Sequence, residues 1–296
     1  MIKRPQASVK RHSGVFNYNG RPIRFQFWSR LEPNQTPDTI IFLGTLQTGR
    51  IAKWATQKTP AGTIVVEGAR HWNAHPNADD LYDFMYGYTL AAFQAVSHEF
   101  SLASAHIVAQ SQAAPGAVLL GKNYGGNINN IVLLAPLGFA ATIFGSTPRQ
   151  RVSILLRRIG RTLLQPSQLP IYDPRNLYIG LIILRGILRE SNLKASPRKY
   201  AKGLAYDMRE DCRVLVERQT KNGNTVTILL GSQDKLFTTS EIPLIIKEAG
   251  IQNLKIHILP GVSHLSLAVR KGKKVLHSAV AVARNDNSYM PGSTNN

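Results

Sequence analysis

From residue 38 onward, short apolar segments alternate with segments of helical character, and this alternation restricts the fold more than any other feature of the sequence. Each apolar segment is nearly continuous, which is typical of strands that are buried on both faces. Parallel strands need a crossover between them, and that crossover is usually a helix. The predicted strands are DTIIFLG (38–44), GTIVVEGA (62–69), SAHIVAQ (104–110), NINNIVLLAP (127–136), TVTILLG (225–231) and LKIHILPG (254–261). The sequence therefore predicts an α/β fold with a mostly parallel sheet.

Two segments depart from this alternation. Residues 14–28 alternate apolar and polar side chains around Asn19-Gly20, a dipeptide that favours the type I′ turn of a hairpin. Residues 139–221 have an almost wholly helical pattern that several prolines interrupt. We therefore predict that an antiparallel hairpin opens the sheet and that a helical cap, 139–221, is inserted after the fourth parallel strand. The core would then consist of residues 1–138 and 222–296.

Cysteine content and apolar patterning predict a cytoplasmic protein. Cys212 is the only cysteine, so the chain can form neither an intrachain disulfide nor a cysteine zinc site. The basic first dozen residues are followed by no apolar run, which argues against a secretory signal. No segment reaches the roughly 18 uncharged apolar residues of a membrane-spanning helix.

The net charge of +19 is large for 296 residues and predicts attraction to anionic partners. Residues 149–202 hold 12 basic and two acidic side chains, so much of the charge lies in the predicted cap. Within it, RQRVSILLRRIGRTLL (149–164) predicts a basic amphipathic helix. Such a helix suits either packing on the core beneath it or peripheral binding to an anionic membrane surface. Basic and aromatic residues are not interleaved, so we do not expect a nucleic-acid partner.

The segment AHIVAQSQAAPGAV (105–118) sets Ser111 where a predicted strand ends and a helix begins. A serine on so sharp a turn has an exposed hydroxyl, and small residues two positions before and after it relieve crowding. Ala109 and Ala113 are these residues, where glycine is usual. The backbone N–H of Gln112 lies in the first turn of the helix, where unsatisfied donors and the helix dipole favour negative charge. Gln112 is therefore a candidate for half of an oxyanion hole.

The loop after the first parallel strand, FLGTLQTG (42–49), is the candidate source of the second donor. We expect Gly44 to let the backbone approach closely, so that the N–H of Thr45 or of Leu46 points at the substrate oxygen.

A serine hydroxyl becomes a good nucleophile only when a base accepts its proton. Asp234 follows the strand TVTILLG, and His264 follows LKIHILPG. Because parallel strands bring their carboxyl ends to one edge of the sheet, we expect Ser111, Asp234 and His264 to lie close together there. His264 could then accept the proton of Ser111 while Asp234 orients the imidazole.

Together, the opening hairpin, FLGTLQTG, AQSQAA, the helical insertion, GSQDKLF and GVSHLSLA resemble the α/β-hydrolase superfamily over roughly residues 14–283. The resemblance implies a hydrolase that works through an acyl-enzyme, without a metal or an organic cofactor. Ser111 would be the nucleophile, Asp234 the acid and His264 the base. The sequence departs from the family in its oxyanion loop, which usually begins His-Gly and here reads Leu43-Gly44.

These features predict a serine esterase that acts on a small carboxylic ester with a hydrophobic acyl group. An amide-cleaving peptidase and an acyltransferase on the same scaffold are alternatives. A third alternative is a catalytically silent relative that binds a ligand or an anionic membrane surface. His71 and His75 have the spacing of metal ligands on a helix, but Pro76 favours a loop, and we expect them at the rim of the substrate pocket.

Overall fold

The structure is a computed structural model that describes most of the predicted core. The described residues are 7–44, 49–69, 81–124, 127–139, 147, 150, 153, 154, 157, 158, 207–234, 239–264 and 272–286. The strands are β1 (Ser8–Tyr18), β2 (Arg21–Leu31), β3 (Thr39–Phe42), β4 (Thr63–Val66), β5 (Ala105–Gln110), β6 (Ile128–Leu134), β7 (Val226–Gly231) and β8 (Lys255–Leu259). The helices are α1 (Gly49–Lys58), α2 (Leu81–Phe100), α3 (Ala114–Tyr124), α4 (Arg209–Lys221), α5 (Glu241–Glu248) and α6 (Gly272–Ala283).

The eight strands form one sheet in the order β1-β2-β4-β3-β5-β6-β7-β8. β1 pairs antiparallel with β2, and β2 antiparallel with β4, whereas every pair from β4 to β8 is parallel. The α/β fold with a mostly parallel sheet and an opening hairpin is thus confirmed. Asn19 and Gly20 form the hairpin turn with φ of 47° and 74°, the left-handed conformation that a type I′ turn requires.

Successive side chains of the central strands enter two separate hydrophobic clusters. Ile40 and Phe42 of β3 face one cluster, which is covered by α2, α3, α4 and α5. Ile41 and Leu43 face the other, which is covered by α1 and α6. We call the outer surface formed by α1 and α6, which cover this second cluster, the α1–α6 face. Because both faces of these strands are buried, their sequences are nearly continuous runs of apolar residues.

The predicted cap lies largely outside the described residues, so its existence and bounds stay a prediction. Its last helix, α4, packs on the sheet, because Cys212 and Leu215 belong to the same buried cluster as α3. Ile154 also packs against that cluster, and Arg158 donates two hydrogen bonds to the Glu241 carboxylate, at 2.7 and 2.9 Å. No described helix is both long and apolar enough to cross a membrane.

Asn130, in β6, joins three elements at the amino-terminal edge of the parallel strands. Its side chain is 3% exposed. Its Nδ2 donates to the carbonyl of Ala283 at the end of α6 (2.7 Å), and its Oδ1 accepts from the N–H of Thr225 just before β7 (2.8 Å). The buried carbonyl of Ala283 and the part-buried N–H of Thr225 depend on this one side chain for these bonds.

Asn130→Ala should therefore lower the free energy of unfolding by about 2 kcal/mol, because it leaves the part-buried N–H of Thr225 and the buried C=O of Ala283 without these partners. Urea denaturation measures the change. The neighbouring Asn129 is the control, since its amide bonds the Ser104 hydroxyl in an exposed position. Asn129→Ala should cost less than about 0.5 kcal/mol, and equal losses in the two variants would contradict this account.

His106, in β5, should make the folded protein less stable in mild acid. Burial lowers the pKa of its imidazole, nearby Arg284 lowers it further, and Asp38 opposes them. Its buried Nδ1 has no hydrogen-bond partner among the described residues. Because the folded-state pKa lies below the unfolded value of about 6.5, the unfolded chain binds more protons between these two values. The free energy of unfolding should therefore fall as the pH drops through 6.5.

In urea titrations from pH 7.5 to pH 5, His106→Gln should show a shallower loss of stability than the wild type. Burial also lowers the pKa of His277, so this variant should remove part of the slope and not all of it. An unchanged slope would contradict the assignment to His106.

Candidate active site

Ser111 occupies a strained turn between β5 and α3. Its φ is 51°, which is uncommon for any residue other than glycine and costs on the order of 1 kcal/mol or more. The residues Ser111–Ala113 form one 3₁₀ turn before α3 starts. The Ser111 carbonyl accepts hydrogen bonds from the N–H of Ala114 and from that of Leu137 (3.0 Å). The turn is therefore held by the start of α3 and by the segment that follows β6.

Small residues around Ser111 allow the strand and the helix to pack closely. Ala109 is 0% exposed and Ala113 is 3% exposed, and neither has a positive φ. Alanine is therefore compatible with both backbone conformations, although glycine is usual there. Gly116 serves the same packing further along α3, since a Cβ at this position would lie 2.3 Å from the Thr89 hydroxyl of α2.

The structure brings together the three side chains predicted to form a catalytic group. Ser111 Oγ lies 3.3 Å from His264 Nε2, and His264 Nδ1 lies 3.0 Å from Asp234 Oδ2. The side chain of Asp234 is 1% exposed, whereas that of His264 is 11% exposed. When Nδ1 donates to the carboxylate, Nε2 is left to accept the Ser111 hydroxyl hydrogen. This arrangement can increase the nucleophilicity of Ser111.

The loops that carry Asp234 and His264 are bonded to one another. The N–H groups of Ser232 and Gln233 donate to the carbonyls of Leu259 (3.0 Å) and Val262 (2.8 Å). The Ser232 hydroxyl accepts from the N–H of Gly261 at 2.9 Å. The sequence alone does not predict this contact, because it joins loops that meet only when β7 and β8 are neighbours.

Gly231, the last residue of β7, provides the space for this contact. A Cβ at Gly231 would lie 2.3 Å from the backbone oxygen of Val262, two residues before His264. A side chain at this position must therefore displace the backbone that carries the imidazole. Gly231 is a positioning residue that the sequence marked only as a strand-ending glycine.

Of the residues predicted to form the oxyanion hole, Gly44 and Gln112 are described, and both adjoin the turn at Ser111. A Cβ at Gly44 would lie 3.5 Å from Ser111 Cβ and from the carbonyl oxygen of Gln110, so the end of β3 adjoins Ser111. That distance is ordinary van der Waals contact, so a methyl group at Gly44 would fit beside Ser111. Gln112 directly follows Ser111 in the 3₁₀ turn. Thr45 and Leu46 lie outside the described residues, as do His71 and His75.

Glu67 is a buried carboxylate at the same edge of the sheet, and the sequence analysis did not identify it. It follows β4, is 2% exposed and accepts a hydrogen bond from the N–H of Gln26 in β2 (2.9 Å). A Cβ at Gly49 would lie 3.6 Å from its Oε2, so the carboxylate adjoins the first residue of α1. Glu67 thus links β2 to the end of the loop predicted to carry an oxyanion donor. The signal in the sequence is an acidic residue directly after an apolar strand.

A second serine and histidine have similar geometry elsewhere in the fold. His12 Nε2 lies 3.1 Å from Ser29 Oγ, and His12 Nδ1 lies 3.1 Å from Glu99 Oε1. Ser29 is only 1% exposed, so a substrate cannot reach its hydroxyl. These contacts tie β1 to β2 and to the end of α2, and they make Ser29 a useful control for Ser111.

No protein-family profile matches the sequence, and no curated protein matches it. Solved structures do match along nearly the whole chain. A 2-hydroxy-6-oxo-6-phenylhexa-2,4-dienoate hydrolase from Rhodococcus sp. strain RHA1 matches with a TM-score of 0.61 and 11% identity, covering 94% of this chain and 100% of its own. A thermophilic esterase from Thermogutta terrifontis matches with a TM-score of 0.60 and 13% identity, over 95% and 100% of the two chains.

An α/β-hydrolase enzyme from a Medee basin deep-sea metagenome library matches with a TM-score of 0.58 and 13% identity, over 92% of this chain and 97% of its own. Similarity at this level of identity concerns the fold. The strand order, the crossover helices and these three structures agree, and the chain has the α/β-hydrolase fold.

Proposed function

We propose that this protein is a serine hydrolase that cleaves a carboxylic ester through an acyl-enzyme. The observation that carries the proposal is the chain of contacts from Ser111 Oγ to His264 Nε2 (3.3 Å) and from His264 Nδ1 to Asp234 Oδ2 (3.0 Å). A contact slightly longer than an ideal hydrogen bond is usual before substrate binds. The positive φ of Ser111, which exposes its hydroxyl at the edge of the sheet, supports the same role.

In the first half of the reaction, His264 Nε2 removes the hydroxyl proton as Ser111 Oγ attacks the ester carbonyl. The negative charge that develops on the carbonyl oxygen is stabilised by the N–H of Gln112 and by that of Thr45 or Leu46. The protonated imidazole then gives its proton to the alkoxide that leaves. The products of this half-reaction are the free alcohol and an acyl group on Ser111.

In the second half, His264 removes a proton from water, and the resulting hydroxide attacks the acyl carbon. The tetrahedral intermediate collapses, Ser111 recovers its proton from His264, and the carboxylic acid leaves. Asp234 holds the imidazole in the required tautomer and stabilises the imidazolium. Its burial at 1% exposure excludes water from this contact, which strengthens it.

Several features favour an ester with a hydrophobic acyl group over the other substrates of this scaffold. The cap segment is rich in leucine and isoleucine, and 149–202 holds only two acidic residues with which to anchor the amine of a peptide. One matching structure is an esterase. Amide cleavage, acyl transfer to an acceptor other than water and a silent site remain as outcomes that an experiment separates.

Ser111→Ala should reduce hydrolysis of p-nitrophenyl esters by about a thousandfold or more, because it removes the nucleophile. A series of increasing acyl length, assayed with wild type and variant, measures the loss and the preferred chain length. Ser29→Ala is the matched control and should keep the wild-type rate.

A fluorophosphonate probe tests the same serine without assuming a substrate. Wild type and Ser29→Ala should each take up one equivalent, and Ser111→Ala should take up none. Failure of folded wild type to react with the probe would overturn the proposal in favour of a silent site. Labelling without ester hydrolysis would overturn only the ester assignment.

Gly231→Ala should lower kcat by at least about tenfold with a smaller effect on KM, because the clash with Val262 displaces His264. Gly121→Ala is the control for overpacking, since its Cβ would meet the side-chain ends of Ile131 and Leu215 at 2.6 and 2.7 Å, away from the site. We expect Gly121→Ala to lose stability and to keep its kcat. Equal kcat losses in the two variants would show that Gly231 acts through stability alone.

A further inference from the structure

We propose that the α1–α6 face of the core binds an anionic lipid surface. The face carries exposed cations on both of its helices: Arg50 and Lys53 on α1, and Lys273 and Lys274 on α6. Neither helix contains an acidic residue. Its charge is therefore positive along both helices, and it lies outside the cap in which the sequence concentrates basic residues.

The opening hairpin extends the same positive surface. Val9 and Trp28 pack against the cluster beneath α1 and α6, so their sides of β1 and β2 belong to this face. Side chains alternate along a strand, and Arg11 of β1 and Arg24 of β2 therefore lie on this side as well. Both are exposed.

Side chains from different elements of this face lie around His277 of α6. Burial lowers the pKa of His277, and the positive charges of Lys273 and of Arg30 in β2 lower it further, while a hydrogen bond with the backbone of Lys58 opposes them. Residues from β2, α1 and α6 thus surround one imidazole.

Several cations on the opposite face are ion-paired. Lys122 contacts Asp211 at 2.6 Å, and Arg213 contacts both Glu210 and Glu217 at 2.6 Å. Arg158 contacts Glu241 at 2.7 Å. Carboxylates therefore neutralise these three cations, whereas α1 and α6 supply no acidic side chain of their own.

The chemistry of the face favours lipid over nucleic acid. Three of the four exposed cations on its helices are lysines, point charges that contact phosphates without the planar geometry used to read a base. The two tryptophans of this face, Trp28 and Trp54, pack against the cluster beneath it, Trp28 buried and Trp54 partly buried, so neither presents an open ring for base stacking. Val15 of the hairpin is 55% exposed and pairs with Arg24, so an apolar side chain lies beside a cation, as suits a lipid headgroup region.

The face also reaches the edge of the sheet that carries Ser111. α1 starts at Gly49, beside Glu67 at the end of β4, and α6 starts at Gly272, after the loop of His264. The exposed cations Arg50, Lys53, Lys273 and Lys274 all lie in the first turns of these helices. Adsorption through them would hold the edge with Ser111 close to the lipid surface.

Cosedimentation with vesicles tests the proposal without any assumption about catalysis. The probes are vesicles of phosphatidylcholine alone and vesicles of phosphatidylcholine with 30% phosphatidylglycerol. Wild type should pellet with the anionic vesicles and not with the neutral ones, and rising salt should release it. Ser111→Ala should bind as wild type does, so that a failure of the hydrolase proposal and a failure of this one are distinguishable.

The deciding comparison is between two triple charge reversals of equal net change. Lys53→Glu, Lys273→Glu, Lys274→Glu should lower the vesicle partition constant at least about tenfold. Lys10→Glu, Lys221→Glu, Lys247→Glu alters exposed lysines on the opposite side of the sheet and should keep it within about threefold.

Equal losses in the two triple variants would overturn the proposal, because net charge and not this face would then control binding. Binding of the wild type to duplex DNA without binding to anionic vesicles would also overturn it and would indicate a nucleic-acid partner. Circular dichroism of each variant establishes that the fold is retained.

Discussion

The structure depends on the burial of its central strands on both faces. Ile40 and Ile41 are neighbours in β3, yet they are 0% and 1% exposed because each enters a different hydrophobic cluster. A strand in this position has no solvent-facing side on which polar chemistry could be placed. Functional side chains must therefore follow the strands, and parallel pairing brings those positions to one edge. Ser111, Asp234 and His264 come together for this reason, although 153 residues separate the first from the last.

The same burial makes the strained turn at Ser111 possible. A residue with positive φ persists only where its surroundings fix it, and here two backbone N–H groups bond its carbonyl while alanines fill the space beside it. Neither Ala109 nor Ala113 has a positive φ. The glycines that are usual at these positions are therefore needed for their small size more than for their backbone conformation. One methyl group fits at each because β5 and α3 pack against buried residues on both sides. The motif is thus better defined by the size of its flanking residues than by glycine.

The sequence predicts local features well and contacts between distant loops poorly. The apolar runs, the Asn19-Gly20 turn and the strand-ending positions of Ser111, Asp234 and His264 are all readable because each depends on neighbouring residues alone. Gly231 could not be assigned its role in this way, since the oxygen that excludes a Cβ there belongs to Val262 in another loop. Glu67 needed the same information, because its partner Gln26 comes from β2, a strand whose place beside β4 follows from the topology.

The distribution of charge over the surface is likewise not predictable from the sequence alone. It also connects the proposed hydrolase activity with the proposed binding to lipid. The sequence has a net charge of +19, much of it in the predicted cap. Only the fold shows that the two faces of the core differ: charges around α4 are paired, whereas α1 and α6 contain no acidic residue. Both faces meet at the edge where Ser111 lies. If the α1–α6 face adsorbs to an anionic surface, the ion-paired face is turned to water and the edge lies at their boundary. A hydrophobic ester could then pass from the lipid to Ser111 without crossing the charged groups of the solvent side, whose desolvation would oppose its entry.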